Sequence, residues 1–234
     1  MLDPNICPRC GERAARVTVD GDRWLCPHCG HDRAFRRLPL LALTGPSGAG
    51  KSTVAAALAH RLAGRAVVLE QDVLWVAGLR DDIDGHPEFR SVWLRLAAMI
   101  HQNGLPVVLC GTVAPPEFEP LPERAFFTDI HYLALVADPA TLAARLRARP
   151  AWRAWDEPRI DEMIEFADWL RHHAATLDPP VELLDTTTAP LTATVDHVHS
   201  WIDRVLEPSP PPTIPTSPSD RHADDSSTPG KSRR

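Results

Sequence analysis

The eight residues Gly45-Pro46-Ser47-Gly48-Ala49-Gly50-Lys51-Ser52 constrain this chain more than anything else in it. They follow an apolar run, Leu38-Pro39-Leu40-Leu41-Ala42-Leu43-Thr44, and open onto a helical pattern. The match to G-x-x-x-x-G-K-[ST] is complete and stands in the strand–loop–helix setting that its mechanism needs. Glycines let successive backbone N–H groups turn inward around an anion, and the positive end of the next helix adds to the attraction. Such a loop predicts a nucleoside triphosphate site, here for ATP with Mg²⁺, built from Gly45, Ser47, Gly48, Ala49, Gly50, Lys51, Ser52 and Thr53. Lys51 is expected to reach the β- and γ-phosphates and the Ser52 hydroxyl to serve Mg²⁺. Of the 25 basic residues only Lys51 and Lys231 are lysines. A chain that otherwise uses arginine has kept lysine where a compact point charge works and a planar guanidinium does not. The alternative, a glycine-rich turn matching by chance, leaves both the setting and the lysine unexplained.

Composition divides the 234 residues into three segments. Residues 1–37 hold four of the five cysteines, residues 38–206 alternate short apolar runs with helical patterns, and 207–234 are rich in Pro and Ser. The last segment has almost no large apolar side chains to offset the entropy of ordering, and reads as a disordered tail or else a proline-rich docking motif. Seven arginines against five acids make the first segment +2 and the tail is neutral, so a chain of net charge −6 carries −8 in its middle. An acidic middle segment disfavours nucleic acid, whose binding rests on phosphate neutralisation. It leaves room for a small phosphorylated ligand held by local donors. No apolar run approaches a membrane span, and the N-terminus lacks the basic and apolar stretches of a secretory leader. A cytoplasmic, reducing location is expected.

Within the middle segment, residues 38–44, 66–70, 106–110, 131–136 and 181–184 are short, mostly continuous apolar runs, as strands buried on both faces should be. Helical patterns occupy 52–63, 88–102, 139–149, 157–176 and 191–206. Strand–helix alternation of this kind predicts an α/β fold whose parallel sheet is covered on both faces, with chemistry at the carboxyl ends of the strands.

Those ends narrow the chemistry. A guanine-reading Asn-Lys-x-Asp cannot exist with lysines only at 51 and 231, and the run ending Leu109-Cys110 has cysteine where motor and transporter ATPases carry an acid. The strand Val67-Val68-Leu69-Glu70-Gln71-Asp72 does end in an acid. Asp72 there can accept the proton of an attacking hydroxyl and help hold Mg²⁺ through water, or it can simply cap a following helical turn. Arg145, Arg149 and Arg153 recur at intervals of four before and after Pro150, with Trp152 and Trp155 among them. They form either a basic lid over a transferring phosphoryl group or a solvated helix face.

On Gly45–Ser52, Asp72 and this arginine-rich lid, residues 38–206 resemble the small-molecule kinases of the P-loop superfamily, a nucleoside- and nucleotide-kinase-like group with AAA-type ATP binding. The resemblance implies a five-stranded parallel sheet of order 2-3-1-4-5 and γ-phosphoryl transfer from MgATP to a small hydroxyl acceptor. It also implies that Asp72 contacts the acceptor and that Arg149 and Arg153 close over the phosphoryl group. The paired-aspartate lid common in nucleotide kinases is missing, so a nucleoside is favoured over a nucleoside monophosphate. The acceptor region falls at 73–95, where Trp75 could stack on a ring and Arg90 could hold an anionic group.

Cys7-x-x-Cys10 and Cys26-x-x-Cys29, separated by 15 residues and each followed by glycine, fit the spacing of a four-thiolate zinc site. A closed tetrahedral site is structural, and the segment resembles a zinc ribbon with a hairpin around Asp20-Gly21; free thiols are the rival reading. The ribbon could dock on the main domain, bind a protein partner or touch nucleic acid, although Zn²⁺ with four thiolates cancels the segment's positive charge. The rival function, a nucleotide-dependent switch or adaptor, would use the ribbon as its partner-binding face.

Overall fold

The computed structural model describes residues 3–207 except 77, 80 and 84, so the tail from residue 208 lies outside the described residues. The main sheet contains β4 (Leu40–Thr44), β5 (Val67–Glu70), β6 (Val107–Cys110), β7 (Ile130–Val136) and β8 (Val181–Asp185). Its order is β5-β6-β4-β7-β8 with every pair parallel, which is 2-3-1-4-5 in the chain order of these five strands. Period-two alternation explains why β4 is apolar throughout. Leu40 and Ala42 enter one core with Phe89, Trp93 and Leu94, whereas Leu41 and Leu43 enter a second with Val54, Leu58 and Trp201.

Helices cover both faces. On one lies α3 (Pro87–His101); on the other lie α1 (Lys51–Arg61) and α7 (Leu191–Leu206). Two further helices, α5 (Pro139–Arg147) and α6 (Glu157–His173), begin alike. Asp138 and Asp156 are N-caps that accept from the amides of Thr141 and Arg159 at 2.8 and 3.1 Å, each with proline in the first turn. The expected helix 139–149 stops at Arg147 because Pro150 biases the preceding residue away from helical geometry. The expected helix 157–176 tightens to a 3₁₀ turn at Ala174–Thr176. Two short helices escaped the sequence reading, α2 (Asp72–Val76) and α4 (Pro115–Phe118). Among the described residues no helix is long and apolar enough to cross a membrane.

The N-terminal unit is a three-stranded antiparallel sheet of β1 (Thr18–Asp20), β2 (Arg23–Leu25) and β3 (Asp32–Ala34). The expected hairpin is present, and a third strand completes it. Trp24 is fully buried, and its indole N–H donates to the Pro4 carbonyl at 2.7 Å.

Candidate functional site

The loop between β4 and α1 is a concave anion cradle whose carbonyls are tied down from outside. Arg145 donates to the Gly48 carbonyl at 3.3 Å and the Thr186 hydroxyl donates to the Ala49 carbonyl at 2.9 Å. Lys51 Nζ donates to the carbonyls of Gly45 and Pro46 at 2.6 and 3.0 Å. Arg145 is therefore a brace beneath the loop and does not join Arg149 and Arg153 over the cleft. The kink at Pro150 separates the three arginines that simple helical spacing would have aligned.

Two glycines are obligatory in this geometry. Gly50 caps α1 at φ 101°. Gly45 has φ 121°, and a Cβ there would lie 2.1 Å from the Leu135 carbonyl oxygen of the neighbouring strand. Gly45→Ala is expected to destabilise the fold by about 1–3 kcal/mol, read as a fall in thermal midpoint, with loss of nucleotide-dependent stabilisation. Unchanged melting with full nucleotide protection would show that the loop tolerates a side chain.

Lys51 is buried, and loss of hydration pushes its ammonium down to about 8, although Cys110, Asp72 and Glu70 favour the charge. Its partners are the two carbonyls and the Thr112 hydroxyl at 3.4 Å. Among the described residues no carboxylate pairs with it. A buried ammonium held only by neutral acceptors fits an anionic ligand, and a triphosphate meets that need. The Ser52 hydroxyl donates to Glu70 at the end of β5. Sequence reading passed over Glu70 in favour of Asp72. The parallel register that sets Glu70 opposite Cys110 puts both strand ends beside the loop, and only pairing reveals it.

Two hollows meet here. The smaller, about 60 Å³, is lined by Ser47, Gly48, Gly50, Lys51, Ser52, Thr53, Glu70, Asp72 and Arg149 among others. The larger, about 710 Å³, runs between Trp75, His86, Phe89 and Arg90 on one wall and Arg149, Trp152, Arg153, Trp155 and Arg159 on the other. Ser47, Asp72, Thr112 and Arg149 line both. Asp72 opens α2, and Arg153 Nη1 stands 3.5 Å from its carboxylate. The Arg149 guanidinium lies 5.6 Å from the Trp155 ring centre; burial and the neighbouring Arg153 charge push its pKa down.

Other expected groups are already occupied. Arg90 is buried and donates to the carbonyls of Gly85 and Thr112 at 2.7 and 3.2 Å and to Glu117, so it braces the cleft floor and is not free to hold an anion. Gln71 was missed. It is 3% exposed, lines the cleft, and its amide nitrogen has no partner among the described residues. Trp75 meets the rings of His86 and Phe89 edge-on at 4.8 and 5.5 Å, which orients one wall. Cys110 is a buried hydrophobe whose thiol burial pushes up to about 12.

A second centre lies in the N-terminal unit. The Sγ atoms of Cys7, Cys10, Cys26 and Cys29 all lie within 4.8 Å of one another, with 3.8 Å between Cys7 and Cys29 and 3.8 Å between Cys10 and Cys26. Zinc–sulfur bonds of about 2.3 Å in a tetrahedron require edges of about 3.8 Å, so this donor set is compatible with zinc in size and chemistry. The two knuckles repeat one backbone geometry. Gly11 N–H donates to the Cys7 carbonyl and Gly30 N–H to the Cys26 carbonyl, both at 3.0 Å.

The solved structures similar to this chain include three kinases. A sugar kinase from a Janibacter species is 18% identical with a TM-score of 0.52, over 71% of this chain and 95% of that one. A gluconokinase from Sinorhizobium meliloti is 21% identical with a TM-score of 0.48, over 72% of this chain and 94% of that one. A deoxyadenosine kinase from M. mycoides is 12% identical with a TM-score of 0.46, over 70% and 99%. At such identities the likeness concerns the fold. No curated protein matches the chain. Residues 41–169 match the AAA domain family, and with strand, cradle, sheet order and cleft all within a P-loop kinase-like fold, the chain belongs to that family.

Proposed function

We propose that the protein is an ATP-dependent small-molecule kinase that moves the γ-phosphoryl group of MgATP to a hydroxyl of a nucleoside-like acceptor. The observation that carries this reading is the meeting of the two hollows. A phosphate cradle alone would serve any nucleotide-binding protein, but here it opens through Ser47, Asp72, Thr112 and Arg149 into a cleft of about 710 Å³, large enough for a second substrate. Aromatic side chains on both walls suit a planar ring.

In this reading the loop amides of 45–53 and Lys51 hold the phosphates of ATP. Ser52 and Glu70, with Asp72 through water, would hold Mg²⁺, which supplies charge neutralisation at the phosphates. Asp72 accepts the proton of the acceptor hydroxyl as that oxygen attacks phosphorus in line with the departing ADP. Arg149 and Arg153 stabilise charge spread over the equatorial oxygens. Zn²⁺ on Cys7, Cys10, Cys26 and Cys29 is structural, because four thiolates leave no position for substrate. The division of labour follows the segments 1–37 and 38–206.

The test is ADP release from MgATP across nucleosides, nucleoside monophosphates, sugars, sugar acids and hydroxyl-bearing antibiotics. A rise of at least about 100-fold with one class supports the reading and names the acceptor. Tight nucleotide binding with no rise from any class would favour a nucleotide-dependent switch.

A further inference from the structure

The two centres share one core. Cys7 and Cys26, the inner pair of the cysteine cluster, are buried in the same apolar cluster as Trp24, Phe35, Phe89 and Trp93. Phe89 and Trp93 belong to α3, and Phe89 lines the large cleft. A run of edge-on rings leads from this core to the cleft wall, Trp93 to Phe89 at 6.4 Å, Phe89 to Trp75 at 5.5 Å and Trp75 to His86 at 4.8 Å. Polar ties fasten the N-terminal unit to the same helix. Asp3 pairs with Arg95, and Gln102, just past the end of α3, exchanges two 3.0 Å hydrogen bonds with the backbone of Arg36. Asn5 reaches Glu123 at 3.4 Å, and Phe35 packs on Phe126 at 5.5 Å, fixing the turn behind α3.

None of these contacts touches the phosphate loop. Its supports come from β4, α5, β7 and the Thr186 region, on the other side of the sheet centre. A unit of about 37 residues has too little core to fold without help, so its grip on α3 depends on the metal.

We propose that the cysteine-cluster unit is the back wall of the acceptor cleft, so that metal occupancy at Cys7, Cys10, Cys26 and Cys29 holds α3 in place for the acceptor and leaves nucleotide binding intact. The acceptor part rests on the kinase reading; the mechanical part does not. Loss of the metal removes the packing behind Trp93 and Phe89, and the ring series and the N-terminal half of α3 loosen together. The loop, braced separately, stays formed.

The experiment compares full-length protein carrying zinc with the same protein stripped by chelator, by amide hydrogen exchange and by MgADP titration. The expected result is a rise in exchange of about tenfold or more across α3, no rise in α1 or the phosphate loop, and an MgADP Kd within about twofold. Equal loosening of α1 and loss of MgADP binding would overturn the proposal, since zinc would then support the whole fold. So would an α3 that stays protected. Because stripping could unfold the unit wholesale, the double variant Asp3→Asn/Gln102→Ala provides a second arm with the thiolates untouched. It should retain zinc by colorimetric chelator assay yet raise α3 exchange in the same pattern. Full protection of α3 in that variant and in stripped protein together overturns the mechanical link. Failure of the zinc-loaded protein to bind MgADP sinks the kinase reading, and the acceptor part with it, while α3 exchange still decides the mechanical part. Once an acceptor is known, stripping should raise its KM by about tenfold and leave the KM for ATP within about twofold.

Discussion

Lys51→Ala is expected to lower turnover by about a thousandfold or more and to weaken MgADP binding markedly, with the fold intact. The side chain is buried in the cradle and its three hydrogen-bond acceptors are neutral, so its charge has no function in the free protein that a smaller residue would leave unmet. Lys51→Arg should fail nearly as badly, because a planar fork cannot occupy the space between two carbonyls. Burial holds the ammonium at about 8 against an ordinary 10.5. The unfolded chain therefore binds more protons than the folded one between those values, so this group costs stability below about pH 8 and the cost fades as pH rises towards 10.5. A bound phosphate reverses the balance by favouring the charged form. MgADP binding should take up a proton as pH rises above about 8, and its affinity should fall there. Calorimetry in buffers of different ionisation enthalpy reads that uptake. A binding enthalpy independent of buffer at pH 9 would mean that Lys51 meets no phosphate.

Asp72→Asn is the second large effect, a fall in kcat of about 10²–10⁴ with the MgADP Kd within about threefold. The change is nearly isosteric, so the start of α2 should survive, and the variant still presents an oxygen to Arg153. What disappears is a carboxylate at the point where cradle and cleft meet. Lower melting temperature with kcat unchanged would assign Asp72 to capping alone. Asp72→Glu keeps the charge but moves it by one methylene, and should recover part of the rate if proton acceptance is its function.

Much of this arrangement was legible from residue order. The cradle residues are consecutive, so the motif and its setting declare them together. Continuous apolar strands announce a sheet covered on both faces, and the cysteine spacing anticipates the cluster of four sulfurs. The elements that escaped depend on distant chain. Glu70 meets Ser52 only because β5 runs parallel to β6 at the sheet edge. Arg145 looked like a member of the lid series, but a single helix end at Arg147 turns it under the loop to Gly48 and Thr186. Arg90 looked free in sequence and is consumed by Glu117 and two carbonyls. The third ribbon strand is only three residues of alternating exposure, too short for periodicity to reveal.

The central claim is transfer, and the fate of the γ-phosphoryl group tests it most directly. With γ-labelled ATP and the acceptor that best stimulates ADP release, the account predicts label on the acceptor in one-to-one ratio with ADP. It also predicts no label on the acceptor with Lys51→Ala. Label recovered only as inorganic phosphate, or retained in ATP whatever acceptor is present, would contradict it.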